Sequence, residues 1–204
     1  MKMCRLRSVL LLSAILLVSA CVTSPPTRFD NACGMLEPRR KWYRAMRVAE
    51  KRWGLPIPIQ LAIIRQESGF NGKAKQPRKR ILWILPGPRK SSAYGYAQAL
   101  KSTWKWYQKS SGNHGADRHD FADAADFISW YGRQSQIKSG ISLEDAYHQY
   151  LAYHEGQGGF NRGTYQKKKG LQNIAAQVAK HARVYDAQLK ACEKQLKRRR
   201  FLFF

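Results

Sequence analysis

Acidic residues are scarce in this chain. Thirteen Asp and Glu stand against 37 Lys and Arg in 204 residues, for a net charge of +24 at neutral pH. So few carboxylates leave little to hold a cationic partner, and the field draws polyanions: nucleic acid, anionic lipid or an acidic polymer. Cysteine is also rare, with four in the chain. The Cys and His residues show no metal-ligand spacing, so neither a metal nor a cofactor is expected. No strand pattern of substance and no internal repeat stand out, which argues against a sheet-based fold or a solenoid. The apolar run Val9 to Val18 is too short to span a bilayer comfortably. What is present is a 44% apolar content, ordinary for a globular chain, and a rich 12% aromatic share. The length fits one domain, or one domain with appendages.

The N-terminus sets the compartment. Lys2, Arg5 and Arg7 precede the apolar run, which closes in Val18-Ser19-Ala20-Cys21. Small residues just before a cysteine resemble the lipobox of bacterial lipoproteins. That resemblance implies removal of residues 1–20 and acylation of Cys21. Val22 after the cysteine favours, by the same analogy, the periplasm with anchorage to the outer membrane. An ordinary secretory signal or an anchor helix remains open. Cys4 leaves with the leader. Cys33 and Cys192 then remain, and an oxidising compartment invites a disulfide between them, with two buried thiols as the alternative. Export also removes the chain from cytoplasmic nucleic acid, which is not an expected partner. Residues 21–36 read as a tether, 37–196 as the folded domain, and 197–204 (KRRRFLFF) as a basic, apolar tail that either meets a membrane surface or stays disordered.

The domain pattern is all-α. Ile57 to Phe70 (IPIQLAIIRQESGF) predicts a short helix, with Pro56 and Pro58 suited to its start and Gly69 to its stop. Ile63 and Ile64 lie four and three residues before Glu67 and so share its face. Burial and the negative helix end both raise the pKa of a carboxyl so placed. A carboxyl kept protonated near neutrality can act as a general acid. A surface Glu at a helix end is the plainer reading of this stretch alone.

Other helices are expected over about Pro38 to Trp53, Ala97 to Lys109, from Asp120 onward, from a Ser142–Asp145 capping box to Gly156, and along the stripe Leu171 to Leu196. Cys192 lies on that last stripe. Lys73 to Lys90, basic and with three prolines, reads as a long loop or small flap beside a cleft. Trp104 and Tyr94 are candidates for stacking on sugar rings, although such aromatics more often fill a core.

Three stretches then stand in order: Glu67-Ser68-Gly69-Phe70, Tyr94-Gly95-Tyr96-Ala97-Gln98 and Ala152-Tyr153-His154-Glu155-Gly156. Together they resemble the soluble-lytic-transglycosylase-like family of peptidoglycan lyases, over roughly Lys41 to Ala191, and most of all its lipoprotein-type branch. The resemblance implies a goose-type lysozyme-like fold and peptidoglycan glycan strands as the partner. It implies Glu67 as the single catalytic acid/base and Tyr153 as the residue that holds its carboxyl. It implies a substrate-binding set of Ser68, Phe70, Tyr94, Gly95, Tyr96, Gln98 and His154. Tyr96 and Ala97 depart from the family's Leu-Met, and His154 and Glu155 from its Asn-Ala. The implied reaction cleaves the β-1,4 bond after N-acetylmuramic acid and leaves a 1,6-anhydro end. Two alternatives stay open: a hydrolase pairing Glu67 with Glu155, and a basic lipoprotein that binds glycan or membrane without catalysis. The cationic surface suits the carboxylates of peptide stems or an acidic leaflet.

Overall fold

A computed structural model describes residues 25–26, 29–81 and 85–198, with the side chains of residues 79–86 outside the description. The predicted leader 1–20, the lipidation site Cys21 and residues 199–204 of the tail lie outside the described residues. The described elements are helices α1 (Ala32–Leu36), α2 (Arg40–Trp53) and α3 (Ile57–Ser68), strands β1 (Arg78–Ile81) and β2 (Leu85–Arg89), and helices α4 (Lys101–Ser111), α5 (Phe121–Ser139), α6 (Ala146–Asn161) and α7 (Lys169–Lys197). A 3-10 turn, Thr164–Lys167, joins the last two helices. Among the described residues the fold is all-α apart from one hairpin.

The core forms around α3. Ile57 and every residue from Ile59 to Ile64 are buried, so this helix is apolar around most of its circumference. It packs mainly on α7, and also on α2 and α5. Its free N-terminal donor at Ile57 is satisfied by the Glu50 carboxylate of α2, at 3.0 Å. Gly69 ends it with φ +56°, and Phe70 follows with φ +62°. Two successive left-handed residues turn the chain sharply just after Glu67.

α7 carries the predicted stripe. Leu171, Ala175, Val178, Ala182, Tyr185, Leu189 and Leu196 are buried along its 29 residues. Cys192, near its end, is disulfide-bonded to Cys33 of α1, with Cα atoms 6.0 Å apart. Gln188 of α7 accepts from the Ala32 amide and donates to the Asp30 carbonyl. Residues 29–36, expected as tether, are therefore docked on α7, because their polar backbone finds partners there.

Three boundaries differ from expectation. α4 starts at Lys101 rather than near Ala97, because Tyr94 bridges Lys75 and Ala99 in a compact turn. α6 starts one turn late: Asp145 is itself the cap, accepting from the His148 amide, while the Ser142 hydroxyl accepts from Glu144 in a local turn. At Gly156 the helix breaks, with φ +72° and ψ 155°, and then resumes to Asn161. The flap predicted between Lys73 and Lys90 is an antiparallel β1–β2 hairpin, with an irregularity between Arg78 and Arg80. Its two prolines in β2 hide it from a strand search, yet a two-stranded ribbon tolerates them on its free edge.

Candidate active site

Glu67 sits in the last turn of α3 and lines a cleft of about 370 Å³. Gln76, Gln98, Tyr131, Tyr153, His154 and Glu155 share that cleft. Burial raises the Glu67 pKa from the ordinary 4.5 to about 7, and a hydrogen bond with the Tyr150 side chain lowers it in part. The opposing signs have a simple origin. The apolar wall disfavours the anion, and the phenolic donor favours it.

The tyrosine whose side chain lowers the Glu67 pKa is Tyr150, one turn before the predicted Tyr153. The Tyr153 hydroxyl donates to the Ala97 carbonyl at 2.5 Å. Tyr153 still shares the cleft, and burial followed by the Glu67 charge holds its pKa well above 10.0. Tyr131 packs edge-on against it, with ring centroids 5.2 Å apart. Tyr150 and Tyr153 lie one turn apart on α6, so periodicity cannot choose between them. The sequence signal that marks Tyr150 is its helical spacing with Tyr147, Leu151 and His154.

The opposite wall is the turn that carries Gln98. This residue is held at φ +46°, a strained setting for a side chain larger than glycine. Its amide nitrogen donates to the Ala74 and Gly95 carbonyls at 3.0 and 2.8 Å, and its oxygen accepts from Gln76 at 3.3 Å. Gln98 thus staples the turn to the flap and leaves mainly its carbonyl oxygen for a ligand.

Glu155 lines the same cleft with a side chain only 6% exposed. Both of its oxygens accept from Lys168 at 2.8 Å, and it also accepts from Thr164. His154 Nδ1 lies 3.1 Å away, with that ring half exposed. These partners hold the Glu155 carboxyl down at about 2, with the Lys168 contact leading. It is neither a surface residue nor a free base.

The remaining predicted contacts do not gather here. The Ser68 hydroxyl bonds back to the Ile64 carbonyl at 3.2 Å and does not line the cleft. Phe70 is fully buried, with its ring 6.0 Å from Trp42. Tyr96 is buried edge-on against Trp42 and Phe121, beside a separate pocket of about 590 Å³. That pocket's acid, Asp120, caps α5 through two backbone amides. Tyr94 lies under Lys75 and Arg118, whose charges stand 5.2 and 5.3 Å from its ring centre. Gly95 packs closely on the neighbouring loop, since a Cβ there would stand 1.9 Å from the Arg118 carbonyl oxygen. Trp104 is core, its indole N–H donating to Ala116. Aromatics within a motif serve packing as readily as sugar, and their spacing carries no mark of which.

A helical domain with a half-buried acid at the end of its central helix, beneath a tyrosine-lined cleft, belongs to the lysozyme-like all-α class. The match to a family is direct: a model described as the transglycosylase SLT domain covers residues 9–192, and the chain belongs to that family. No curated protein matches it. Membership implies lytic-transglycosylase-type activity on peptidoglycan glycan.

Proposed function

We propose that the protein cleaves the β-1,4 bond between N-acetylmuramic acid and N-acetylglucosamine, with Glu67 as its single acid and base. The observation that carries this reading is the asymmetry of the two cleft carboxyls. Glu67 is raised to about 7, and Glu155 is held at about 2 by Lys168 and Thr164. Near neutrality one carries a proton to give and the other is a tethered, weakly basic anion.

Glu67 protonates the bridging oxygen, and the muramyl C1–O bond breaks. The substrate's N-acetyl oxygen assists at C1, as the family resemblance implies. Glu67, now a carboxylate beside the Tyr150 hydroxyl, removes the proton from the muramyl 6-hydroxyl, whose oxygen closes on C1. Glu67 regains its proton, no water is consumed, and the product is a 1,6-anhydromuramyl end. An internal nucleophile gains from proximity. Gln98 and His154 are the cleft residues placed to meet the sugars.

The hydrolase reading needs Glu155 as a base for water, and its ion pair opposes that role. A binder without catalysis gives no reason for an acid raised by burial in the cleft. The leader sequence supports a lipoprotein anchored through Cys21 to the outer membrane, facing the periplasm. Mass spectrometry of digested sacculi tests the chemistry, with anhydro ends expected. Labelling with a radioactive fatty acid tests the anchor, with loss in Cys21→Ser expected.

A further inference from the structure

Phe29 stands 36 positions before Arg65 in the sequence, yet it closes around the end of α3. The Arg65 guanidinium donates to the Phe29 carbonyl at 3.0 Å and to the Tyr185 hydroxyl at 3.1 Å. Tyr185 of α7 donates to the same Phe29 carbonyl. The Phe29 ring lies beneath the Arg65 charge, 4.9 Å from it, and also meets the Phe70 ring, with centroids 5.9 Å apart. The ion pair of Arg65 with Asp30, at 2.8 Å, adds little, because the Asp30 side chain is 82% exposed.

These contacts form a closed path around Glu67. The Arg65 carbonyl accepts from the Gly69 amide at 3.0 Å, the bond that ends α3. Gly69 and Phe70 both take left-handed backbone, and for a residue as bulky as Phe70 that setting persists only where neighbours over-determine it. Among the described residues, two rings lie against Phe70. Trp42 is fixed by its own stack on Phe121, with centroids 4.1 Å apart. Phe29 is the other, and it comes from a segment that carries none of the three motifs. Removing its ring opens the path at Phe70. The segment itself stays docked, since Gln188 still holds Ala32 and Asp30, and Cys33 stays bonded to Cys192.

We propose that Phe29 is a positioning residue for Glu67: its ring and carbonyl hold Arg65 and Phe70, which flank the acid, and so fix where the carboxyl points in the cleft. This rests on the lytic reading above and adds to it a residue outside the three motifs. The transition state needs the proton aimed at one oxygen, so a small drift of the helix end costs turnover rather than binding. A role in packing alone would cost stability and leave turnover unchanged.

The test measures turnover on soluble glycan strands for wild type, Phe29→Ala and Phe29→Tyr, well below the Tm of each. Phe29→Ala is expected to lower kcat by roughly tenfold to a hundredfold with KM within about twofold, and Phe29→Tyr, which keeps the ring, to stay near wild type. Titration of the Glu67 carboxyl by NMR, with its signal assigned by loss in Glu67→Gln, gives a readout independent of activity. Its pKa is expected to fall in Phe29→Ala, as water reaches the carboxyl. If Phe29→Ala does not fold, Phe29→Leu takes its place with the same directions expected. A lowered Tm with unchanged kcat and unchanged titration overturns the proposal, as does a loss of kcat that Phe29→Tyr fails to restore. Wild type that releases no fragments overturns the lytic reading instead. The titration then decides the proposal by itself: a shift in Phe29→Ala supports it, and no shift ends it.

Discussion

The Tyr150 side chain hydrogen-bonds the Glu67 carboxyl, joining the break-prone helix α6 to the end of the core helix α3. The bond stabilises the anion more than the acid. It therefore matters most after the proton has left, when the carboxylate must act as a base. Tyr150→Phe is expected to lower cleavage by roughly tenfold to a hundredfold, the worth of a hydrogen bond to a charged group. It should also raise the Glu67 pKa further and move the alkaline limb of the rate profile upward. Tyr153→Phe leaves the Ala97 carbonyl without its donor, so it should cost stability, about 1–3 kcal/mol, with no comparable shift of the pH profile. Rate–pH profiles of the two variants check the distinction.

Glu67 takes up its proton more readily in the fold than in the unfolded chain, with a pKa of about 7 against 4.5. Its contribution to stability is fully present below pH 4.5 and is lost as the pH rises through 7. The loss is on the order of 3 kcal/mol. Glu67→Gln is neutral at every pH and escapes it. The variant should melt above wild type at pH 8, by a margin that shrinks at pH 4.5. Thermal melts at the two pH values give the comparison.

The Cys33–Cys192 bond closes nearly the whole domain, with its ends 159 positions apart in sequence. Constraint on the unfolded chain is worth about 5 kcal/mol for so long a loop. Cys192→Ser, or reduction, should lower Tm by roughly 10–20 °C, as read by differential scanning calorimetry with and without reductant.

Glu155 binds the 3-10 turn to α6 through Thr164 and Lys168. Glu155→Gln should destabilise by about 1–2 kcal/mol and keep the same anhydro product, since the residue holds the wall and donates nothing to the sugar. Chemical denaturation paired with product analysis checks both halves. A switch to reducing ends would mark Glu155 as part of the chemistry.

Much of this was legible before any coordinates. The bounds of α3 followed from Pro56, Pro58 and Gly69, whose backbone preferences are local. The α7 stripe followed from helical period, and with it the inward placement of Cys192 near Cys33. The residues whose surroundings were not legible share a cause: their contacts are with partners distant in sequence. Gly95 is dictated by Arg118, Tyr96 by Trp42 and Phe121, and Tyr153 by the Ala97 carbonyl. The hairpin escaped notice because Pro86 and Pro88 break the alternation that identifies a strand. Residues 29–36 looked like a tether because their ordering comes from Gln188, Tyr185 and the disulfide, all on the far end of the chain.

The most direct measurement is mass spectrometry of purified sacculi digested by wild type and by Glu67→Gln, with the fold of the variant confirmed. One neutral carboxyl working alone predicts 1,6-anhydromuramyl ends from wild type and no released fragments from the variant. Reducing muramyl ends from wild type, or continued cleavage by Glu67→Gln, would contradict it.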